Sequence, residues 1–388
     1  MHTDQHRLGL MEKLLDGAKV EWLALGEVAK LKNGKDWKKL GYGKFPVYGS
    51  GGIMGYVDTF AYDKPTVLIP RKGSITNIFY VETPIWNVDT IYYTEIDTLQ
   101  LMPKFFYYFM KTIDLMKLDT GSGRPSLTQA ILNVIPIPIP PLHVQAEIVR
   151  ILDAFTAMTA ELTAELAMRK KQYNYYRDRL LSFEEEGTTK DTKSTKVEWK
   201  ALGEVAEYSK ARISHEQLDQ TNYVGVDNLL QNRAGKKESS YVPTDGNLTK
   251  YRSGDILIGN IRPYLKKIWQ ADRIGGTNGD VLVVHSTDDS VMPRYLYQVL
   301  ADEKFFDYNM QHAKGAKMPR GNKPKIMGYR LPIPPLEKQK EIVAVLDKFD
   351  TLVHSISEGL PREIELRQKQ YEYYRDLLLS FPKPEGKA

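Results

Sequence analysis

Lys19–Leu31 reads KVEWLALGEVAKL, and Lys196–Tyr208 reads KVEWKALGEVAEY. The doubling recurs twice downstream, in the same order. IPIPPLHVQAEIVRILDAF (Ile137–Phe155) returns as LPIPPLEKQKEIVAVLDKF (Leu331–Phe349), and KKQYNYYRDRLLSF (Lys170–Phe183) returns as QKQYEYYRDLLLSF (Gln368–Phe381). A period of roughly 190 residues is the size of a domain with its appendage and far too long for a solenoid repeat. Weaker echoes lie between the strong ones. TVLIPRKGSITNIFYV from Thr66 parallels DILIGNIRPYLKKIWQ from Asp255, Asp89-Thr90-Ile91 parallels Asp280-Val281-Leu282, and Met102-Pro103 parallels Met292-Pro293. Constant flanks around divergent centres imply one frame carrying two different surfaces.

The repeats set the layout. Short strand-like runs such as TVLIP and NIFYV, broken by Gly and Pro turns, make residues 19–142 a first globular domain. Residues 143–183 read as one long helix, and 184–195 (EEEGTTKDTKST) as a polar linker without apolar content. Residues 196–336 form the second globular domain and 337–381 a second helical region, with residues 1–18 an N-terminal extension and 382–388 a tail. The Pro-rich segments Pro136–Pro141 and Pro332–Pro335 favour extended backbone and end each domain before its helix. The predicted fold class is α+β: two similar domains with β-rich runs, separated by two long coiled-coil-like helical regions that a pseudo-two-fold relating the repeats would make antiparallel. The N-terminal MEKLLDGAKVEW matches the end of the linker-to-KVEW join, which suits a circular arrangement with the two termini close together.

In the first helix Ile148, Leu152, Phe155, Leu162, Leu166, Tyr173, Tyr176 and Leu180 recur mostly at spacings of three, four or seven, with breaks at Thr159 and Arg169. The second region carries Ile342, Leu346, Phe349, Val353, Ile356, Leu360, Tyr371, Tyr374 and Leu378, and Gly359 and Pro361 interrupt it. Each stripe needs an apolar partner, and the simplest is the other helix. A helix of about 39 residues spans roughly 58 Å, more than the roughly 34–36 Å of one duplex turn. Asp153 to Gln172 is 19 steps and Asp347 to Gln370 is 23, so the first helix is four residues shorter. It also holds a tandem tetrapeptide, TAEL-TAEL, over Thr159, Ala160, Glu161, Leu162, Thr163, Ala164, Glu165 and Leu166. Ala, Glu and Leu are good helix formers, which suffices for a plain helix. Geometry offers a second reading. Four helical residues add about 6 Å and a net rotation of about 40°, against roughly 3.4 Å and 34–36° for one base pair. The rotations nearly match and the translations do not, so copy number could set a spacing if the helix axis is inclined.

At 388 residues the chain is long enough for two domains. It has no apolar run of about 18 residues and no apolar signal-peptide core near Met1. The absence of cysteine excludes disulfides and thiolate metal sites and fits a reducing cytoplasm. A net charge of +5 is a weak pointer to nucleic acid, but its distribution says more. From Tyr308 to Leu336 there is no acidic residue, while Lys314, Lys317, Arg320, Lys323, Lys325 and Arg330 are basic. The 24 tyrosines supply rings that can stack or hydrogen-bond at a polar interface.

Base readout needs donors and acceptors aimed at base edges, and phosphate contacts need cations or backbone N–H groups. In the first domain the candidates are Lys44, Tyr48, Ser50, Arg71, Lys72, Ser74, Asn77, Arg124 and Ser126. Arg71-Lys72-Gly73-Ser74 interrupts two strand-like runs, and Gly121-Ser122-Gly123-Arg124-Pro125-Ser126 is a second polar loop. In the second domain they are Arg233, Lys236, Asn260, Arg262, Tyr264, Lys266, Lys267, Asn278, Lys314, Lys317, Arg320 and Lys323. Gly259-Asn260-Ile261-Arg262 takes the place of Pro70-Arg71-Lys72-Gly73. A solvated surface group is the alternative reading for each of these residues, and it is weaker for Arg71, Arg262 and the cluster at 314–323.

Catalytic signatures are missing. There is no Walker motif, HExxH, GxSxG or GxGxxG between a strand and a helix, and no Asn-Pro-Pro-aromatic motif of amino-methyltransferases. His143, His215, His285, His312 and His354 show no metal-ligand spacing. Asp89 and Asp280 hold matching places in the repeats, which a shared structural role explains more simply than a nuclease carboxylate.

The whole chain resembles the specificity subunit of type I restriction-modification enzymes, in the branch whose central helix carries TAEL repeats. The resemblance rests on LGEV after the Trp, on PIPPL…Q..IV..LD.F, on the TAEL pair and on KQY.YYRD.LLSF. It implies two α/β target-recognition domains and an antiparallel helical pair, each domain reading half of a bipartite asymmetric site in double-stranded DNA. It implies helical regions that set the spacer and dock two methyltransferase (modification) subunits, with restriction subunits joining for cleavage. It implies no catalysis, metal or cofactor in this chain, S-adenosylmethionine, ATP and Mg being assigned to the partners, and a cytoplasmic location away from membranes. Two TAEL copies suggest the shorter of that branch's spacers. Two other readings stay open on the residues: a helical adaptor whose domains bind protein, and a self-contained DNA-modifying enzyme. The acid-free stretch 308–336 argues against the first, and the missing motifs against the second.

Overall fold

The computed structural model describes residues 13–119, 123–183, 197–354 and 358–382. Most of the N-terminal extension, Gly121 and Ser122, the 184–195 linker and the tail beyond Pro382 lie outside them. The chain divides into two compact units, Met1–Thr159 with Arg367–Ala388, and Ala160–Leu366. Each unit takes one globular domain and a stretch of each helical region. On the first long helix the division falls between Thr159 and Ala160, at the head of the TAEL pair.

The first unit contains strands β1 (Glu21–Ala24), β2 (Ala29–Lys32), β3 (Phe45–Gly49), β4 (Gly52–Val57), β5 (Thr66–Pro70), β6 (Phe79–Val81), β7 (Trp86–Asn87), β8 (Ile91–Ile96) and β9 (Pro136–Ile139). Its helices are α1 (Leu25–Val28), α2 (Pro103–Met110), α3 (Gln129–Asn133) and the start of α4 (Leu142–Leu181). β1 pairs antiparallel with β9, so the KVEW and IPIPP landmarks are sewn together, Trp22 opposite Pro138. An antiparallel sheet runs in the order β2-β8-β5-β6, and a smaller one in the order β4-β3-β7, where β3 and β7 are parallel. The TVLIP run is β5, and all five of its residues are buried, as a continuous apolar run requires. LGEV is α1: Leu25 and Val28 face the core, and the Glu27 carboxylate accepts from the Ala24 N–H at 2.7 Å. That bond satisfies one of the orphan donors at the helix start.

The second unit repeats the frame with β10 (Glu198–Ala201), β11 (Ala206–Tyr208), β12 (Arg212–Ser214), β13 (Asn247–Tyr251), β14 (Ile256–Gly259), β15 (Ile268–Gln270), β16 (Gly275–Thr277), β17 (Val281–Ser286) and β18 (Arg330–Ile333). Its helices, after the end of α4, are α5 (Leu202–Val205), α6 (Pro293–Leu300), α7 (Glu303–Gln311), α8 (Lys323–Met327), α9 (Leu336–His354) and the start of α10 (Gly359–Leu378). β10 pairs with β18, and the larger sheet runs β11-β17-β14-β15, the order of its counterpart. The smaller sheet, β12-β13-β16, is wholly antiparallel and differs from the first unit's. The frame is common and the second sheet is where the domains diverge.

The repeated Gln and Asp of the IPIPP segment tie each domain to its helix. Gln145 is fully buried; its side chain accepts from Met102 N–H at 2.8 Å and donates to the Gln100 and Pro140 carbonyls. Gln339 does the same with Met292 N–H and the Ser290 and Pro334 carbonyls. Asp153 binds Lys104 and Tyr108 from α2, and Asp347 binds Arg294 and Gln298 from α6. The expected long helix is α4, 40 residues and about 60 Å. The stripes find each other as expected. In the first unit Phe155 stacks on Tyr374 (5.1 Å between centroids), and in the second the equivalent Phe349 stacks on Tyr176 (5.5 Å). Tyr173 meets both His354 and Phe349 while Tyr176 meets Phe349, so α4 and α9 run antiparallel where they touch. The expected break in the second region is real. Gly359 has φ +75°, and a Cβ there would lie 2.4 Å from the Thr351 carbonyl oxygen. The circular arrangement also has a contact within the first unit: Trp22 Nε1 donates to the Pro382 carbonyl at 2.9 Å.

One repeated residue has two fates. Arg177, in the second unit, is buried and donates to the Tyr173 hydroxyl and to both oxygens of Gln298. Its Nε lies 3.3 Å from Asp302 Oδ2. Asp350 completes the group, accepting from Tyr173 and Gln298 and contacting His354. Burial pushes the Asp350 carboxyl up, but the His354 bond, the Arg177 charge and the bonds from Tyr173 and Gln298 hold it at about 2. In the first unit the repeat of Arg177 is Arg375, which is half-buried against Tyr371 and pairs with the adjacent, exposed Asp376. The positions of Asp302 and Asp350 are there Thr112 and Thr156, so no carboxylate holds the guanidinium inside. Among the described residues no helix is long and apolar enough to cross a membrane.

Candidate nucleic-acid interface

The polar loops of each domain are laced by one hydrogen-bond ladder, the same in both. In the first unit Arg71 N–H donates to the Thr90 carbonyl (2.9 Å), Leu127 N–H to Arg71 (2.8 Å) and Gly73 N–H to Pro125 (3.0 Å). In the second, Asn260 N–H donates to Asp280 (2.8 Å), Gly321 N–H to Asn260 (3.0 Å) and Arg262 N–H to Pro319 (2.7 Å). Single bridges Lys72–Ser126 and Ile261–Arg320 complete the match. Arg71 thus corresponds to Asn260, Gly73 to Arg262, Thr90 to Asp280 and Ser126 to Arg320. A short helix follows in each, capped by Thr128 in one case and Asn322 in the other. The paired motif Pro70-Arg71-Lys72-Gly73 with Gly259-Asn260-Ile261-Arg262 is therefore correct in register. The pairing of Asp89 with Asp280 is off by one. Pro70 pairs with Ile91 and Gly259 with Val281, so the second loop is one residue longer and Asp280 falls opposite Thr90.

In the first unit this ladder gathers Ser50, Arg71, Lys72, Ser74, Asn77, Arg124 and Ser126. Asn77 Nδ2 donates to the Ser50 carbonyl (3.1 Å), and Ser50 N–H donates to Thr90 Oγ1 (3.3 Å). Arg71 is half-buried with Nη1 on the Asp89 carbonyl, while Lys72, Ser74 and Arg124 are exposed. Ser126 N–H is anchored on Asp119 at 2.8 Å. Tyr48 lies against Phe79, and burial raises its hydroxyl pKa. Lys44 is not part of the group: it sits over Phe45 at the other end of β3, roughly 20 Å along the strand from Ser50. Ile53 and Met54, exposed on the β3–β4 hairpin next to Ser50, were not among the expected residues. The Gly-rich SGG turn between alternating runs is the signal that marks them.

In the second unit Arg262, Tyr264, Lys314, Lys317, Arg320 and Lys323 are exposed on or beside the ladder. Lys314 and Arg320 exchange both backbone hydrogen bonds, and Arg320 Nη1 donates to Asp280 Oδ1 at 2.7 Å. Asn278 accepts from Asp280 N–H in the turn leading to β17. Arg262 adopts φ +52° where its counterpart Gly73 has φ +85°. A long side chain held in the left-handed region costs about 1 kcal/mol or more, a strain found preferentially at functional sites.

Five expected contacts point elsewhere. Arg233 is buried: its guanidinium donates to the Ala301 carbonyl (2.9 Å) and pairs with Glu303 (3.4 Å). Both Asn232 and Arg233 have positive φ, and this turn carries the side chain inward. Lys266 is tied to the same Glu303. Lys236 donates to the Thr221 carbonyl over the Trp269 ring, and Lys267 to the Val226 carbonyl; burial lowers the pKa of both amines. Asn260 is buried and contributes its backbone to the ladder. Among the described residues no group of three His, Asp or Glu could hold a metal, and His285 and His354 each contact one carboxylate.

Two matched polar faces on one duplicated frame define a protein of paired recognition domains joined by helices. A family model described as type I restriction modification DNA specificity domain matches residues 18–168 and again 195–366, and the chain belongs to this family. It is 34% identical to the specificity subunit of the type I restriction enzymes EcoR124I/EcoR124II of Escherichia coli, over 97% of this chain and 98% of that protein. It is 33% identical to a putative type I restriction enzyme specificity subunit of Haemophilus influenzae, over 96% and 98%. The fold is shared with the crystal structure of a type I restriction-modification S subunit from M. genitalium. The TM-score is 0.62 at 17% identity, covering 95% of this chain and 98% of that one. The family is one of DNA-specificity subunits with two recognition domains, a non-catalytic role.

Proposed function

We propose that each globular domain reads one half of a bipartite, asymmetric duplex site through its laddered loops, and that the helical regions set the spacer and dock two methyltransferase subunits. Restriction subunits join that complex for cleavage. S-adenosylmethionine, ATP and Mg belong to the partners, this chain holds no cofactor of its own, and the assembly works in the cytoplasm. The observation that carries the reading is the shared ladder presenting different side chains: Arg71, Lys72 and Ser126 on one face, Arg262 and Arg320 on the other. A fixed backbone with exchanged side chains is what two readers of unlike sequences need.

The test uses the chain assembled with its modification subunits. Duplex binding should weaken steeply with salt, as phosphate neutralisation demands. Arg71→Ala should relax or weaken one half-site in the methylation pattern, and Arg262→Ala only the other. Equal effects on both halves would contradict the two-reader scheme, and salt-insensitive association with protein alone would favour an adaptor.

A further inference from the structure

We infer that Arg320 reads a guanine in the second unit's half-site and that Asp280 is the residue that positions it. The inference rests on the reading of this face as DNA-binding. Most cations on the face lack support. Lys314, Lys317 and Lys323 are exposed amines on flexible stems, suited to phosphates, which ask only for charge. Arg320 differs in both backbone and side chain. Its N–H and C=O exchange bonds with Lys314 at 2.8 and 2.9 Å. Its neighbours Pro319 and Gly321 are bonded to Arg262 and Asn260. Gly321 is closely packed, since a Cβ there would lie 2.6 Å from Asn309 Oδ1 and 2.7 Å from Asn260 Oδ1.

The guanidinium is then held at its tip. Nη1 donates to Asp280 Oδ1 at 2.7 Å while the side chain remains 55% exposed. One of five N–H donors is used, and the Nη2–Nε edge keeps the planar fork that matches the O6 and N7 acceptors of guanine. An arginine with an anchored backbone and a tethered tip has less rotamer freedom for binding to remove, which favours geometric readout over loose charge contact. The first unit supplies the contrast. At the same two ladder positions it carries Ser126 and Thr90, two short hydroxyl side chains in place of a cation and its buttress. At this position the two readers, built on one backbone, present different chemistry.

The experiment uses the chain in complex with its modification subunits, and competition binding to a randomised half-site library gives the base preference. Arg320→Ala should relax preference at one guanine of the second half-site by roughly 10- to 100-fold and leave the first half-site unchanged. Replacing that guanine with deazaguanine, which lacks N7, should weaken the parent and not the variant. Asp280→Asn should relax the same position with an unchanged salt slope, and Asp280→Glu should restore part of the preference. Thermal unfolding of each variant separates these effects from misfolding. If Arg320→Ala instead weakens all sequences equally and lowers the salt slope by about one, it contacts phosphate and the inference is wrong. Lys314→Ala and Lys317→Ala serve as controls. Uniform weakening by them, with no base-specific effect of Arg320→Ala, overturns only the guanine assignment. No effect from any of the three overturns the DNA face itself.

Discussion

Arg177 and Arg375 occupy the same place in the two copies of QY.YYRD, yet their substitution should have unequal consequences. The Arg177 side chain is 2% exposed and that of its partner Asp302 5%. Arg177→Met leaves the buried Asp302 carboxylate without its cation and takes the Arg177 donors from the two Gln298 oxygens, and removing one partner of a buried pair costs about 3–5 kcal/mol. Arg375 is 22% exposed and its partner Asp376 is 63% exposed, so Arg375→Met should cost about 1 kcal/mol or less. Spread over a unit of roughly 200 residues, the first change lowers that unit's Tm by roughly 7–12 °C and the second by about 2 °C. Two units need not unfold together, so hydrogen exchange followed peptide by peptide is the assay, with protection lost from α6 and the end of α4 in the first variant. A further substitution sharpens the test. Arg177→Met combined with Asp302→Leu removes the buried pair and should recover part of the loss; recovery is incomplete because Asp350 stays without the Arg177 charge and the Asp302 cap on Lys304 N–H is gone. Equal destabilisation by the two arginine variants would refute the reasoning, as would a double variant no better than the single one.

Three other outcomes follow from the same geometry. Asp350 titrates at about 2 in the folded unit, below its unfolded value of about 3.9, so its contribution is full above about pH 4 and disappears as pH falls towards 2. The difference is worth roughly 2–3 kcal/mol, and an acid titration of stability should lose that step in Asp350→Asn. Arg262→Gly restores the residue type that Gly73 shows the loop prefers: stability should stay within about 1 kcal/mol of the parent while binding of the second half-site weakens. A loss of stability without a change in binding would make Arg262 structural. Inserting one further TAEL unit after Leu166 should lengthen the spacer in the methylation pattern by about one base pair, and an unchanged spacer would end the ruler idea.

The duplication, the helices and the strand runs were legible because each is a period in the chain. LGEV, the buried Gln of IPIPP and the Phe/Tyr stacks explain those matches residue by residue. What stayed hidden depends on side-chain direction. Arg233 looks like any loop cation until two positive φ values turn it towards Ala301 and Glu303, some seventy residues on. Lys236, Lys266 and Lys267 likewise spend their amines on carbonyls or a carboxylate close by in space. The Asp89–Asp280 offset escaped notice because a one-residue loop difference leaves the local spelling almost the same. The ladder that joins loops near 71 and 125 was invisible for another reason: backbone hydrogen bonds carry no residue signature.

The first unit is discontinuous in the chain, since Met1–Thr159 is completed by Arg367–Ala388, whereas the second is one uninterrupted stretch. On the ribosome the order of completion is therefore inverted. The second unit can close as soon as its own last residue emerges. The first must wait for the roughly 200 residues between its parts, roughly 10–40 s at about 5–20 residues per second. During that interval the pocket that receives Leu378, Leu379 and Phe381, among Phe105, Ile148 and Leu152, stands open to water. A chain truncated before Leu378 would thus damage the domain nearest its beginning.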